Sequence, residues 1–141
     1  GICTLSMQGA SVMSKFALAV FFFAALAPSV ASACSNLTLA NVGVKGMTSN
    51  GNLNYYQIDG VVSNNGANQS SSTLQTVDIY KGPVKIDSKS IPPLRAGQSF
   101  TFTYVSERSS DGGAGTSHLR FVLDAKNGSM CGAPAPSTVT F

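Results

Sequence analysis

The sequence predicts an all-β protein: an immunoglobulin-like, seven-stranded antiparallel β-sandwich preceded by an N-terminal signal peptide. Three observations predict it. From Ser35 onward apolar residues recur with a period of two; the same region is rich in Val, Thr, Ser, Asn and Gly; and turn residues break the alternation about every 8 to 15 residues.

The first element is a leader. Met13, Ser14 and Lys15 open a short positive start, "FALAVFFFAALA" runs from Phe16 to Ala27, and Pro28 ends it before the small-residue site Ala31-Ser32-Ala33. The run is too short for a bilayer span, which takes about 20 helical residues, and the A-x-A pattern behind it is that of a cleaved secretory signal. Residues 13–33 are therefore read as signal peptide. Residues 1–12 match neither a charged leader start nor the domain sequence, and are read as a mis-assigned start or vector-derived residues. The folded domain is expected over 34–141.

The strands come in order. "NLTLANVGVK" carries Leu37 and Leu39, then Val42 and Val44, so its alternation slips by one at Ala40-Asn41, as a β-bulge would make it. "MTSNGN" is expected to be a loop with an Asn50-Gly51 turn. "YYQIDGVVSNNG" directs Tyr56, Ile58, Gly60 and Val62 inward. "TVDIYKG" directs Val77 and Ile79 inward, with Thr76, Asp78 and Tyr80 outward, and Gly82-Pro83 ends it. "VKIDSKSI" has Lys85 and Lys89 on a short run, which suits an edge strand guarded against edge-to-edge pairing. "SFTFTYV" sets Phe100, Phe102 and Tyr104 against Thr101 and Thr103. After the glycine-rich "SSDGGAGTS" loop, "HLRFVLDA" directs Leu119, Phe121 and Leu123 inward, and "APAP" leads in extended form to a last strand, "STVTF". A core Trp and the inter-sheet cysteine pair of antibody domains are absent.

"VVSNNG", "VDIYKG", "LRAGQSFTFTY" and "FVLDAKN" occur in that order between Val61 and Asn127. In order and spacing they resemble the CARDB family, the cell-adhesion-related domain found in bacteria, whose pattern falls here on Val62, Asn64 and Gly66, on Leu94 and Gly97, and on Asp124 and Asn127. The resemblance spans most of residues 34–141. It implies a sandwich displayed outside the cytoplasm, used in adhesion or as a spacer, and not an enzyme. Read physically, Asn64 and Gly66 suit a turn with positive φ, and Leu94 with Gly97 suits a tight corner.

The composition points away from several functions. A formal charge of +3, one unit of it on Lys15, with no basic run, gives no footprint for nucleic acid, and no apolar stretch after the leader is long enough to span a membrane. Catalysis finds no constellation. His118 is the sole histidine, Asp124 lies six residues along the same strand at roughly 20 Å, and Ser117 points to the opposite face. No cofactor or metal is expected: Asp111 has only Glu107 as a nearby second acid, whereas calcium wants several oxygen ligands. Tyr55 and Tyr80 should lie on opposite sheets and so cannot stack on one glycan. The sequons at Asn36, Asn68 and Asn127 carry meaning only in a eukaryotic secretory pathway. There remains an outward face with Asp78, Tyr80, His118 and Arg120. It is either a solvated surface with a cross-strand Asp–Arg pair, or a patch for a protein or cell-surface component centred on Tyr80 and Arg120.

Two cysteines lie beyond the leader, Cys34 and Cys131. In an immunoglobulin-like topology the start of the first strand and the loop before the last strand share one end of the sandwich, so a disulfide between them is plausible. The alternative is a lipobox, because "ASAC" places Cys34 where a bacterial lipoprotein would carry its lipid. The expected function is accordingly a secreted or periplasmic, non-catalytic binding, adhesion or structural module. The alternative is an outer-membrane-anchored lipoprotein with a structural role in the envelope.

Overall fold

The computed structural model describes residues 34–110, 116–128 and 130–141, and among them seven strands form, all in antiparallel pairs. Expectations for residues 1–33, and for Asp111 in the glycine-rich loop, lie outside the described residues. The strands are β1 (Leu37–Asn50), β2 (Leu53–Asn64), β3 (Gln75–Lys81), β4 (Val84–Ile91), β5 (Ser99–Ser109), β6 (His118–Ala125) and β7 (Ser137–Thr140). They make a three-stranded sheet, β1-β2-β5, and a four-stranded sheet, β4-β3-β6-β7.

The alternation read from the sequence is the alternation that packs. Ile58, Val62, Val77, Ile79, Leu119, Phe121 and Leu123 are buried between the sheets, with Leu37, Phe102 and Val139 beside them. The Phe121 ring lies 6.0 Å from that of Phe102 and 6.3 Å, edge-on, from that of Tyr104, so both sheets contribute to one aromatic contact. Burying each side chain of this size contributes about 1.5–3 kcal/mol. Gly60 belongs to the same layer: a Cβ there would stand 2.5 Å from the Phe102 ring, so the glycine is what lets that ring lie flat on β2.

β1 departs from one expectation. The register shifts between Ala40 and Gly43, as the broken alternation predicts, and Asn41 takes a left-handed φ of 55° to make the step. The "MTSN" segment, however, is strand and not loop. Pairing continues through Asn50↔Leu53, and only Gly51 and Asn52 turn the chain, with Gly51 at φ 63°. A glycine with positive φ in the first of two turn positions matches the twist of a tight hairpin, so the strands need no longer loop. The β3–β4 turn has the same design at Gly82 (φ 61°) and Pro83. That short hairpin keeps β4 beside β3, whereas antibody constant domains pair their fourth strand into the other sheet.

Leu94, buried to 1 % exposure, anchors the crossing from β4 to β5, and Gly97 (φ 81°) turns the corner. The expectation of positive φ at Asn64 and Gly66 is corrected. Neither residue is in the left-handed region. Gly66 is needed for close approach instead, since a Cβ would sit 2.6 Å from the Asn36 nitrogen and 2.7 Å from the Cys34 carbonyl oxygen. Asn64 is a buried clamp. Its Nδ2 donates to the carbonyls of Ala67 and Leu94, and its Oδ1 accepts from the backbone N–H groups of Asn36 and Gly66.

The same end of the sandwich holds Cys34 and Cys131, which form a disulfide with Cα atoms 5.3 Å apart. The Cys131 N–H donates to the Ser35 carbonyl, and Ser35 bridges Met130 in parallel fashion. The pairing expected from topology is therefore present.

Candidate functional face

β3 and β6 are the two central strands of the four-stranded sheet, and their even-numbered residues point away from the core. Register places Tyr80 opposite Arg120, Asp78 opposite Val122 and Thr76 opposite Asp124. On the flanks, Thr140 of β7 lies opposite His118, and Lys85 of β4 opposite Tyr80. The four side chains singled out by sequence thus share one face, but not in one environment.

Tyr80 and Arg120 meet. The guanidinium carbon sits 4.5 Å from the ring centroid, a cation–π contact that holds the long side chain flat over a half-buried ring. No described residue accepts a hydrogen bond from Arg120. Its five N–H donors are therefore held in place yet unspent.

Asp78 corrects the expectation of a solvated carboxylate paired with arginine. It is only 2 % exposed, although it faces outward, because Thr76, Ser88 and Lys85 close over it. Oδ1 accepts from Thr76 Oγ1 at 2.8 Å and from Ser88 Oγ, and Oδ2 lies 3.4 Å from Lys85 Nζ. Burial on its own raises the pKa, but the bonds from Ser88 and Thr76 and the Lys85 charge outweigh it, holding the carboxyl below its ordinary value of 3.8. Sequence reading missed Ser88 and Lys85 as partners because a register shift between Ile79 and Tyr80 inserts Ile86 and re-phases β4. Simple alternation counted from Val84 gives the wrong neighbours.

A depressed folded pKa has a definite sign in stability. The contribution from Asp78 is fully present above the unfolded value near 3.8 and is lost as pH falls from there through the lower folded pKa. Urea unfolding of the wild type and of Asp78→Asn, tracked from about pH 6 down to about pH 2, should therefore show a stability gap that is full near pH 6 and shrinks as pH falls below about 4. A gap that stays constant over this range would rule out the assignment.

His118 stands at the end of the face, exposed. Its Nδ1 is 3.0 Å from Thr140 Oγ1 and its Nε2 3.2 Å from Thr116 Oγ1. Each ring nitrogen lies within hydrogen-bond distance of a threonine hydroxyl, and among the described residues no carboxylate bonds to the imidazole to orient it as a base. Lys126 and Asp124 form an exposed ion pair, of the kind that solvent screening leaves with little effect on stability. Among the described residues no group of three or more His, Cys, Asp or Glu could hold a metal ion, and no helix is long and apolar enough to cross a membrane. Tyr55, on β2, belongs to the other sheet from Tyr80.

No family model, no curated protein and no solved structure matches the chain.

Proposed function

We propose that this chain is a non-catalytic binding or structural module that works outside the cytoplasm and meets a protein or another cell-surface component through the outer face of β3 and β6. The observation that carries the reading is Arg120, clamped on Tyr80 with its donors unspent. Tyr and Arg are the residue types that anchor interfaces, and an arginine already immobilised loses little entropy when a partner binds. The export leader, the resemblance to the CARDB domain and a disulfide suited to an oxidising compartment support the location. A sulfur committed to Cys131 is not free to form the thioether of a lipoprotein. Intact mass of the exported protein should therefore be lighter by two hydrogens than the dithiol and carry no acyl mass.

The test is binding of labelled protein to envelope fractions of the source cells, comparing wild type with the double variant Tyr80→Ala, Arg120→Ala. The expected result is loss of roughly tenfold or more in affinity. Unchanged binding by a variant with wild-type circular dichroism would refute the face.

A further inference from the structure

We propose that the opposite sheet carries a subsite for one sugar ring of a neutral glycan. On the outer face of β1-β2-β5 lies a cleft of about 260 Å³, lined by Gly46, Met47, Thr48, Tyr55, Gln57 and Val105. It is smaller than the pockets that hold drug-sized ligands, roughly 300–1,000 Å³, and suits a single ring open to solvent on one side.

Its walls are mixed in the way a pyranose is. Tyr55 offers an aromatic surface whose electron-rich face attracts the C–H groups of a sugar, and Met47 and Val105 are exposed at 51 % and 52 %. The polar side is positioned rather than loose. Asp59 accepts from Gln57 Nε2 at 3.2 Å and from Thr103 Oγ1 at 2.8 Å. That fixes the Gln57 amide with its nitrogen spent on Asp59 and its carbonyl oxygen unspent. Among the described residues, neither this oxygen nor the hydroxyls of Thr48 and Tyr55 has a hydrogen-bond partner.

The cleft exists because β1 has no side chain at Gly46, directly opposite Gln57. A second register shift of β1, between Val44 and Gly46, places this glycine at an irregularity of the strand; its φ is not in the left-handed region, and a Cβ there would meet nothing within 4 Å. A glycine inside a strand marks a bulge or a close approach of another group, and here the irregularity leaves an open notch on the outer face of the sheet. The chemistry then selects the occupant. Asp59 beside the cleft, and Glu107 in register with Tyr55, disfavour an anion. A purely apolar side chain would desolvate the Gln57 oxygen and the Thr48 hydroxyl without replacing their bonds to water. A neutral polyol with an apolar face satisfies both sides.

The test is an NMR titration of isotopically labelled protein with the methyl glycosides of glucose, galactose, mannose and N-acetylglucosamine, and separately with N-acetylleucinamide. At least one glycoside should give saturable shifts at the amides of Thr48, Tyr55 and Gln57, with millimolar affinity, as expected for one ring and a few hydrogen bonds. Gly46→Val should fill the notch and weaken binding by roughly tenfold or more while leaving the melting temperature unchanged or higher. Should that variant fail to fold, Gln57→Leu on the exposed face gives the same reading. The subsite is overturned if no glycoside saturates, if N-acetylleucinamide alone does, or if the variant that fills the cleft or removes the amide leaves affinity intact.

Discussion

Breaking the Cys34–Cys131 bond is expected to cost about 2–4 kcal/mol of folding stability and to lower the melting temperature by roughly 10–25 °C. The bond closes a 97-residue loop, nearly the whole folded domain, so in the chain-entropy account it removes about as much disorder from the unfolded chain as one crosslink can. It also sits where the native chain is already held. The Cys131 N–H reaches the Ser35 carbonyl, and the Ala67 N–H reaches the Cys34 carbonyl, so the crosslinked end needs no rearrangement to form. Urea denaturation of Cys34→Ser with Cys131→Ser, beside the wild type with and without reductant, measures the effect. The double variant and the reduced wild type should agree. A midpoint that reductant does not move would contradict this account.

Asn64→Ala is expected to destabilise by about 3–5 kcal/mol, a large share of the 5–15 kcal/mol typical of a domain. The side chain is 0 % exposed and uses its full bonding capacity: two donors and two acceptor sites tie together four segments, the approach to β1 at Asn36, the turn at Gly66, the loop at Ala67 and the crossing at Leu94. Truncation leaves the part-buried N–H groups of Asn36 and Gly66 and the Ala67 carbonyl short of a partner, while the Leu94 carbonyl keeps only its bond from the Gln69 N–H. Asn64→Asp keeps the shape but sets a buried negative charge against those two carbonyl oxygens, so it should do no better. The neighbouring Asn65→Ala, on an exposed side chain, should stay within about 0.5 kcal/mol of wild type. Equal midpoints for the alanine variants at 64 and 65 would show that the clamp is dispensable.

The strand pattern was legible because burial on one face forces a period of two. Ile58 and Val62, Val77 and Ile79, and Leu119, Phe121 and Leu123 all announce their direction, and all are in the core. The disulfide was legible as one of two readings, since topology brings the ends together while a cysteine after small residues also fits a lipid site. The features that stayed hidden are those that depend on a partner strand. Asp78 reads as a surface acid from its own strand. It is buried only because β4, re-phased by the shift opposite Ile79, brings Ser88 and Lys85 over it. Asn64 and Gly66 read as a turn because Asn and Gly favour turns, and the local bonds to Gly66 and Ala67 fit that, while the other two contacts that fix Asn64 lie 28 and 30 residues away in sequence. The stacking of Arg120 on Tyr80 arises from a cross-strand register that neither strand encodes alone. The notch at Gly46 is silent in sequence, since an absent side chain has no periodicity.

The position of the disulfide also decides how the domain carries load. Tension applied between Cys34 and the end of β7 runs through the sulfur bridge and the stretch after Cys131, and not through strands β1 to β6. The 97 residues it encloses, some ~300 Å of chain if pulled straight, are shielded from the pull. Only the stretch after Cys131, with the four-residue strand β7, can peel away from β6. Oxidised, the domain is a nearly inextensible link; reduced, it becomes a long and yielding one.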